Sequence, residues 1–368
     1  MKPGKSNWSP LLRLGLCGLL LLWVFHCIFV NEGRESWRIH GLPWDTLSRL
    51  EMWRIGWTLG PPSLWKTLAM VSPGAFALSL PLMGMTVLLG VVRWRMALQA
   101  VGLPLPFGRA TAISMVAQCF NSFLLGSTGG DLLKAYYAAR ETRHQKTEAV
   151  VTVFVDRLIG LFAMLVFACL MMPWNWALLA DHRSLAGVAA LVAAMTLACA
   201  VLVVLAFWGG VSRGFPRARA WLRKLPKGEL LERSLEACRG FGKQPGFLIK
   251  AFAVSMVLNV FCVLQVMTLA YGLKLRIPPE ALFLIVPMII CISALPLTPS
   301  GLGLRENLFV QMLAVAPLSV EPAKALALSL LAYAGFLIWS LLGGAVYLNM
   351  RGAQHLDEVL RNGNTRPA

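Results

Sequence analysis

The chain has 368 residues, 57% hydrophobic and 14% charged, with a mean hydropathy of +0.66. Soluble domains carry about 25% charged residues, so a soluble enzyme, a secreted disulfide scaffold and a disordered chain are all excluded. The net charge of +17, from 34 basic and 17 acidic residues, would suggest nucleic acid in a soluble protein. In a membrane protein it reflects Lys and Arg gathered in cytoplasmic loops, so no nucleic acid is expected.

Eight stretches lack Asp, Glu, Lys and Arg: 14–31, 67–92, 110–130, 158–180, 184–212, 251–273, 281–304 and 325–350. Each approaches or exceeds the length of about 20 residues that a membrane helix needs. The first follows Lys2, Lys5 and Arg13 and lacks a small-x-small cleavage site. It reads as an uncleaved helix with its N-terminus inside. Glu32–Lys66 is then external. Its Leu47, Leu50, Trp53, Ile55 and Trp57, mixed with Arg49, Glu51 and Arg54, predict a helix lying at the interface.

If all eight stretches crossed, the segment Arg213–Lys250 would lie outside, although it holds ten Lys or Arg against Glu229, Glu232 and Glu236. The positive-inside rule forbids this, so one earlier stretch does not cross. The best candidate is 110–130, which breaks at Gly126-Ser127-Thr128-Gly129-Gly130-Asp131 and runs on into Lys134, Arg140, Arg143 and Lys146. A re-entrant hairpin from the cytoplasm restores the charge balance. The pattern recurs at 281–304, which ends in Pro296-Leu297-Thr298-Pro299-Ser300-Gly301-Leu302-Gly303 and Arg305-Glu306. The following apolar run, 307–320, makes only about 21 Å of helix, too short for a core of about 30 Å. It predicts a second hairpin, entering from outside.

The predicted fold is therefore an all-α polytopic membrane protein with about six transmembrane helices, two opposed re-entrant hairpins and an inverted repeat. It divides into 1–66 (first helix and external segment), 67–350 (membrane domain) and 351–368 (a short cytoplasmic tail). The membrane domain has halves of about 67–212 and 251–350, joined by the basic cytoplasmic loop 213–250. Within that loop Trp221, Leu222, Leu225, Leu230, Leu231 and Leu235 offer the apolar face of an interfacial helix. Broken helices in corresponding positions of two halves are the pattern of inverted-repeat transporters; kinked helices packed through glycine are the competing reading. Eight cysteines form no CxxC pair and five histidines no HExxH, so neither a metal nor a cofactor is expected.

Several short motifs occur in a characteristic order: Arg93-Trp94-Arg95 with Leu98 and Gly102; Asn121; Gly129-Gly130-Asp131 with Lys134 and Tyr136; Asp156-Arg157 with Gly160; and Pro299-Ser300-Gly301-Leu302-Gly303-Leu304-Arg305-Glu306. In these the chain resembles the transmembrane region of lysylphosphatidylglycerol synthases, the lipid-flippase half of the bacterial multiple peptide resistance factor and its stand-alone relatives. Lys134 stands where arginine is expected and Asp156 where glutamate is commoner, both keeping the charge. Two-domain relatives add a soluble aminoacyl-transferase domain after this region. The chain ends without it, so lysyl transfer is not expected. The charge count places both termini in the cytoplasm, and the resemblance implies a bacterial-type cytoplasmic membrane. It also implies membrane lipids, phosphate-bearing or polyprenyl-type, as partners; a homo-oligomer or a lipid-synthesis partner protein is left open.

The candidate substrate-binding residues are Asn121, Gly129, Gly130, Asp131, Lys134, Arg157, Ser300, Gly301, Gly303, Arg305 and Glu306. Glycines before helix starts expose backbone N–H groups and a positive helix end that hold phosphate, with Lys134 and Arg305 as balancing charges. Asp131 and Glu306 would instead suit a driving cation or proton. Asp131 is placed to face Arg305, and Arg157 to pair with Asp131 or Glu306. A structural ion-pair network, and snorkelling of Lys134, Asp156 and Arg157 at helix ends, are the competing readings. The sequence thus points to a lipid translocator without a catalytic constellation. Its rivals are a membrane-embedded enzyme and a non-transporting scaffold of a lipid or glycolipid synthesis pathway.

Overall fold

The computed structural model describes residues 44–123, 129–141, 146–207, 238–295, 301 and 303–363, with His26, Phe29, Val30, Gly33, Arg34 and Trp37. Ser300, the turn 124–128, the first apolar stretch other than its few described residues, and most of the basic loop, including its six apolar candidates, lie outside them. Among the described residues all regular structure is helical: α1 (Arg49–Ala69), α2 (Pro73–Ala100), α3 (Phe107–Phe123), α4 (Gly129–Glu141), α5 (Lys146–Met171), α6 (Trp176–Asp181), α7 (Arg183–Phe207), α8 (Pro245–Gly272), α9 (Pro279–Ser293), α10 (Leu304–Leu313) and α11 (Pro322–Gly363).

Five described segments are long and apolar enough to cross a membrane: Pro73–Ala100, Thr147–Asp181, Arg183–Phe207, Pro245–Gly272 and Pro322–Asn349. They match the five predicted crossings after the first. Their surfaces are apolar as well as their interior: Leu78 and Met85 on α2, Leu197 and Val201 on α7, and Leu341 on α11 are all exposed. Contiguous apolar surface on this scale suits lipid rather than water. This is a multi-pass membrane protein.

Local signals set the boundaries. Ser72 caps α2, its hydroxyl accepting from the Ala75 N–H at 3.3 Å, and Pro73 takes the first helical position. The interfacial helix therefore runs through the expected boundary at 66 to Ala69 before breaking. At the start of α1, Ser48 and Glu51 form a capping box, with the Ser48 N–H 2.9 Å from the Glu51 carboxylate. Beyond the last crossing, the backbone of the expected tail continues as helix to Gly363.

Four helices of each half pack through matching pairings. α2 lies on α8, and the contacts among α2–α5 have counterparts among α8–α11, whereas α7, packed on α5 and α9, has none in the second half. α3 meets α4 as α9 meets α10, and α4 meets α5 as α10 meets α11; α3 lies on α11 as α9 lies on α5. α2 and α8 run antiparallel. The Ser72 N–H donates to the Gly272 carbonyl at one end, and the Gln244 amide donates to the Ala100 carbonyl at the other. The first helices of the two halves are thus oppositely directed.

Candidate functional site

Both short helix pairs place charge at their break. α3 turns back as α4, and their approach is so close that a Cβ at Gly130 would lie 1.8 Å from the Ala117 carbonyl oxygen. Only glycine fits there. Asn121, on α3 and buried, accepts the Gly130 N–H at 2.8 Å, so it satisfies one of the orphan donors of the α4 N-terminus. Gly129 is the first residue of this helix. Asp131, in its first turn, accepts from Arg157 at 2.6 Å. Of the partners considered for Arg157, the structure forms this one.

Lys134 lies one turn further along α4 and is 8% exposed. Its ammonium is 3.4 Å from Asp156 and 4.3 Å from the centre of the Trp94 ring. Asp156 is 4% exposed and also accepts from Arg93 Nε at 2.7 Å; Arg93 Nη1 donates to Ser255 at 2.9 Å. Gly160, one turn beyond Asp156, leaves room for this arrangement, since a Cβ there would be 2.6 Å from Arg93 Nη1. Helices α2, α4, α5 and α8 thus meet at one buried cluster with two cations and one anion. Lysine carries three N–H donors, and the described contacts direct one of them to Asp156.

Snorkelling does not describe Lys134 or Asp156. Helix α5 begins at Lys146, so Asp156 is not at a helix entrance but about 15 Å along the helix. Ser255 lies at a similar distance from the start of α8. Arg157, whose side chain is 52% exposed, fits the snorkelling picture better. Arg93 and Asp156 were missed as site residues because they lie just outside the uncharged stretches 67–92 and 158–180 and so look like helix ends. The available signal was Ala149, Thr152, Asp156, Gly160 and Ala163, spaced three or four residues apart along one face.

The second break holds a smaller cluster. Gly301 and Gly303 have positive φ, 71° and 83°, a conformation that favours glycine. The Gly303 N–H donates to Glu306 Oε2 at 2.6 Å. Arg305 donates to Glu306 Oε1 from Nη2 at 2.5 Å and lies over the Tyr333 ring at 4.5 Å. Ser329 on α11 donates to Glu306 Oε1 at 3.2 Å. Arg305 is thus held by Glu306, Ser329 and Tyr333, and Asp131 by Arg157, instead of facing each other. Among the described residues, no group of three His, Cys, Asp or Glu side chains is arranged to hold a metal ion.

Fold and site together define an all-α polytopic membrane protein in which each half carries a short helix pair with an ion cluster beside it. The chain belongs to the family described as the lysylphosphatidylglycerol synthase TM region, which matches residues 47–344. Membership carries a membrane lipid-related function. No curated protein matches the chain.

Proposed function

We propose that this protein translocates a lipid with a phosphate-bearing or other anionic head group between the leaflets of a cytoplasmic-type membrane. In this reading α3–α4 and α9–α10 are re-entrant hairpins entering from opposite faces, and the halves are an inverted repeat. The observation that carries the reading is the packing: α2 and α8, the first helices of the two halves, run antiparallel, and the short helix pairs α3–α4 and α9–α10 have matching neighbours. Inverted repeats with discontinuous helices build transporter sites near the bilayer midplane.

Charge supports the choice of head group. Arg93, Lys134 and Asp156 sum to one net positive charge, buried where an isolated ion is costly. A phosphate received by Lys134 balances it while the acyl chains stay in the bilayer. The basic segment 213–250 then faces the cytoplasm, and both termini with it. The protein acts by moving lipid rather than by changing it.

Reconstitution tests this. Vesicles holding the purified full chain and acyl-chain-labelled phosphatidylglycerol should show protein-dependent exchange between leaflets with the lipid recovered unchanged. A modified lipid product, or binding without exchange, would overturn the reading. A cysteine at position 228 in a cysteine-free background should react only from the cytoplasmic side; external labelling would reverse the topology.

A further inference from the structure

Helix α8 carries Ser255, Asn259, Cys262 and Gln265 in a stretch, Ala251 to Met267, that is otherwise apolar. At about 100° per residue these occupy one sector of about 120°. The two ends of the row are engaged across helix boundaries. Ser255 accepts from Arg93 in the first cluster. The Gln265 amide donates to the Ala332 carbonyl at 3.4 Å, one turn along α11 from Ser329 of the second cluster. The row therefore runs from one ion cluster to the other.

Its middle is different. Asn259 is 6% exposed, yet its amide has no hydrogen-bond partner among the described residues. Interhelical bonding, the ordinary reason for an amide in a membrane helix, accounts for Gln265 but not for Asn259. The end contacts Ser72–Gly272 and Ala100–Gln244 set Thr86, on the facing helix, level with residue 258, next to Asn259 in the chain. Thr86 bonds its own backbone, at the Met83 carbonyl.

We propose that this polar seam between α2 and α8 is the path of the lipid head group through the apolar layer, and that Asn259 is its midway contact. The proposal rests on the translocator reading and adds the route to it. An amide is well matched to such a contact. Its N–H groups donate to phosphate oxygens, its carbonyl accepts from ammonium or hydroxyl groups, and it carries no charge to trap either. Asn259 makes these bonds only while the head group passes.

The test uses the full chain in phosphatidylcholine vesicles with acyl-chain-labelled phosphatidylglycerol, following leaflet exchange by dithionite quenching. Asn259→Leu should slow exchange about tenfold or more, the loss of one hydrogen bond to a charged group. Asn259→Gln, which keeps the amide, should recover much of the rate. Thr268→Val alters a hydroxyl that bonds its own helix backbone at Leu264, on the opposite face, and should match the wild type. If Asn259→Leu exchanges lipid at the wild-type rate, or Asn259→Gln is as slow as Asn259→Leu, the seam is wrong while the translocator reading stands. If the wild type exchanges nothing, both fail.

Discussion

Replacing Asp156 by asparagine keeps the shape of the first cluster but changes its charge from +1 to +2. The carboxylate is 4% exposed and lies 2.7 Å from Arg93 Nε and 3.4 Å from Lys134 Nζ. By distance alone the Arg93 contact is about 1.3 times the stronger. Removing one member of a buried ion pair destabilises by about 3–5 kcal/mol, because a charge is left without compensation. A stranded lysine can release its proton, whereas an arginine cannot, so Arg93 bears most of the cost. Adding Arg93→Met to Asp156→Asn should therefore restore stability, with a coupling of about 1–3 kcal/mol between the two sites. Reversible unfolding in mixed micelles of a mild detergent and dodecyl sulfate measures all three variants. An Asp156→Asn protein as stable as the wild type would refute the reasoning, as would a double variant whose losses simply add.

Gly160→Leu drives a side chain into the space of the Arg93 guanidinium and should cost about 1–3 kcal/mol by overpacking. In the same unfolding assay its loss should not add to that of Asp156→Asn. Asp131→Asn and Arg305→Gln should each abolish lipid exchange in vesicles while leaving insertion and monodisperse elution intact; normal exchange by both would remove the hairpin clusters from the mechanism. The Ser48 hydroxyl and N–H donate to Glu51 and hold its carboxyl below the ordinary carboxylate range. The lowered value means that this contribution to the start of α1 is present above the unfolded carboxylate pKa and fades as pH falls through the folded one. Hydrogen exchange in the first turn of α1 should show that fading, and Glu51→Gln should remove it.

The crossings were legible because an uncharged run of about 20 residues has few alternatives to a membrane helix. The helix breaks were legible for another reason: the basic segment 213–250 can stay on one side only if an earlier stretch turns back. Glycines 129, 130, 301 and 303 marked where. Partners were much harder to read. Whether Asp131 meets Arg157 or Arg305 depends on which helices touch, and local pattern does not record that. Asp156 shows the difficulty best. Its charge ends an apolar run, which looks like a helix end, yet the helix begins ten residues earlier because Arg93 and Lys134, distant in sequence, make burial of the carboxylate tolerable.

The excess positive charge of the first cluster has an electrical consequence. It is fixed about 15 Å in from the end of α5, part-way into any voltage across the membrane, and does not travel with the cargo. In the proposed translocation, an anionic head group passing from this cluster to the opposite leaflet would move its own charge through the remaining field. A singly charged lipid crossing the whole field would exchange about 2.3 kcal/mol per 100 mV with it, one starting at this cluster only a part of that, and a zwitterionic lipid nothing.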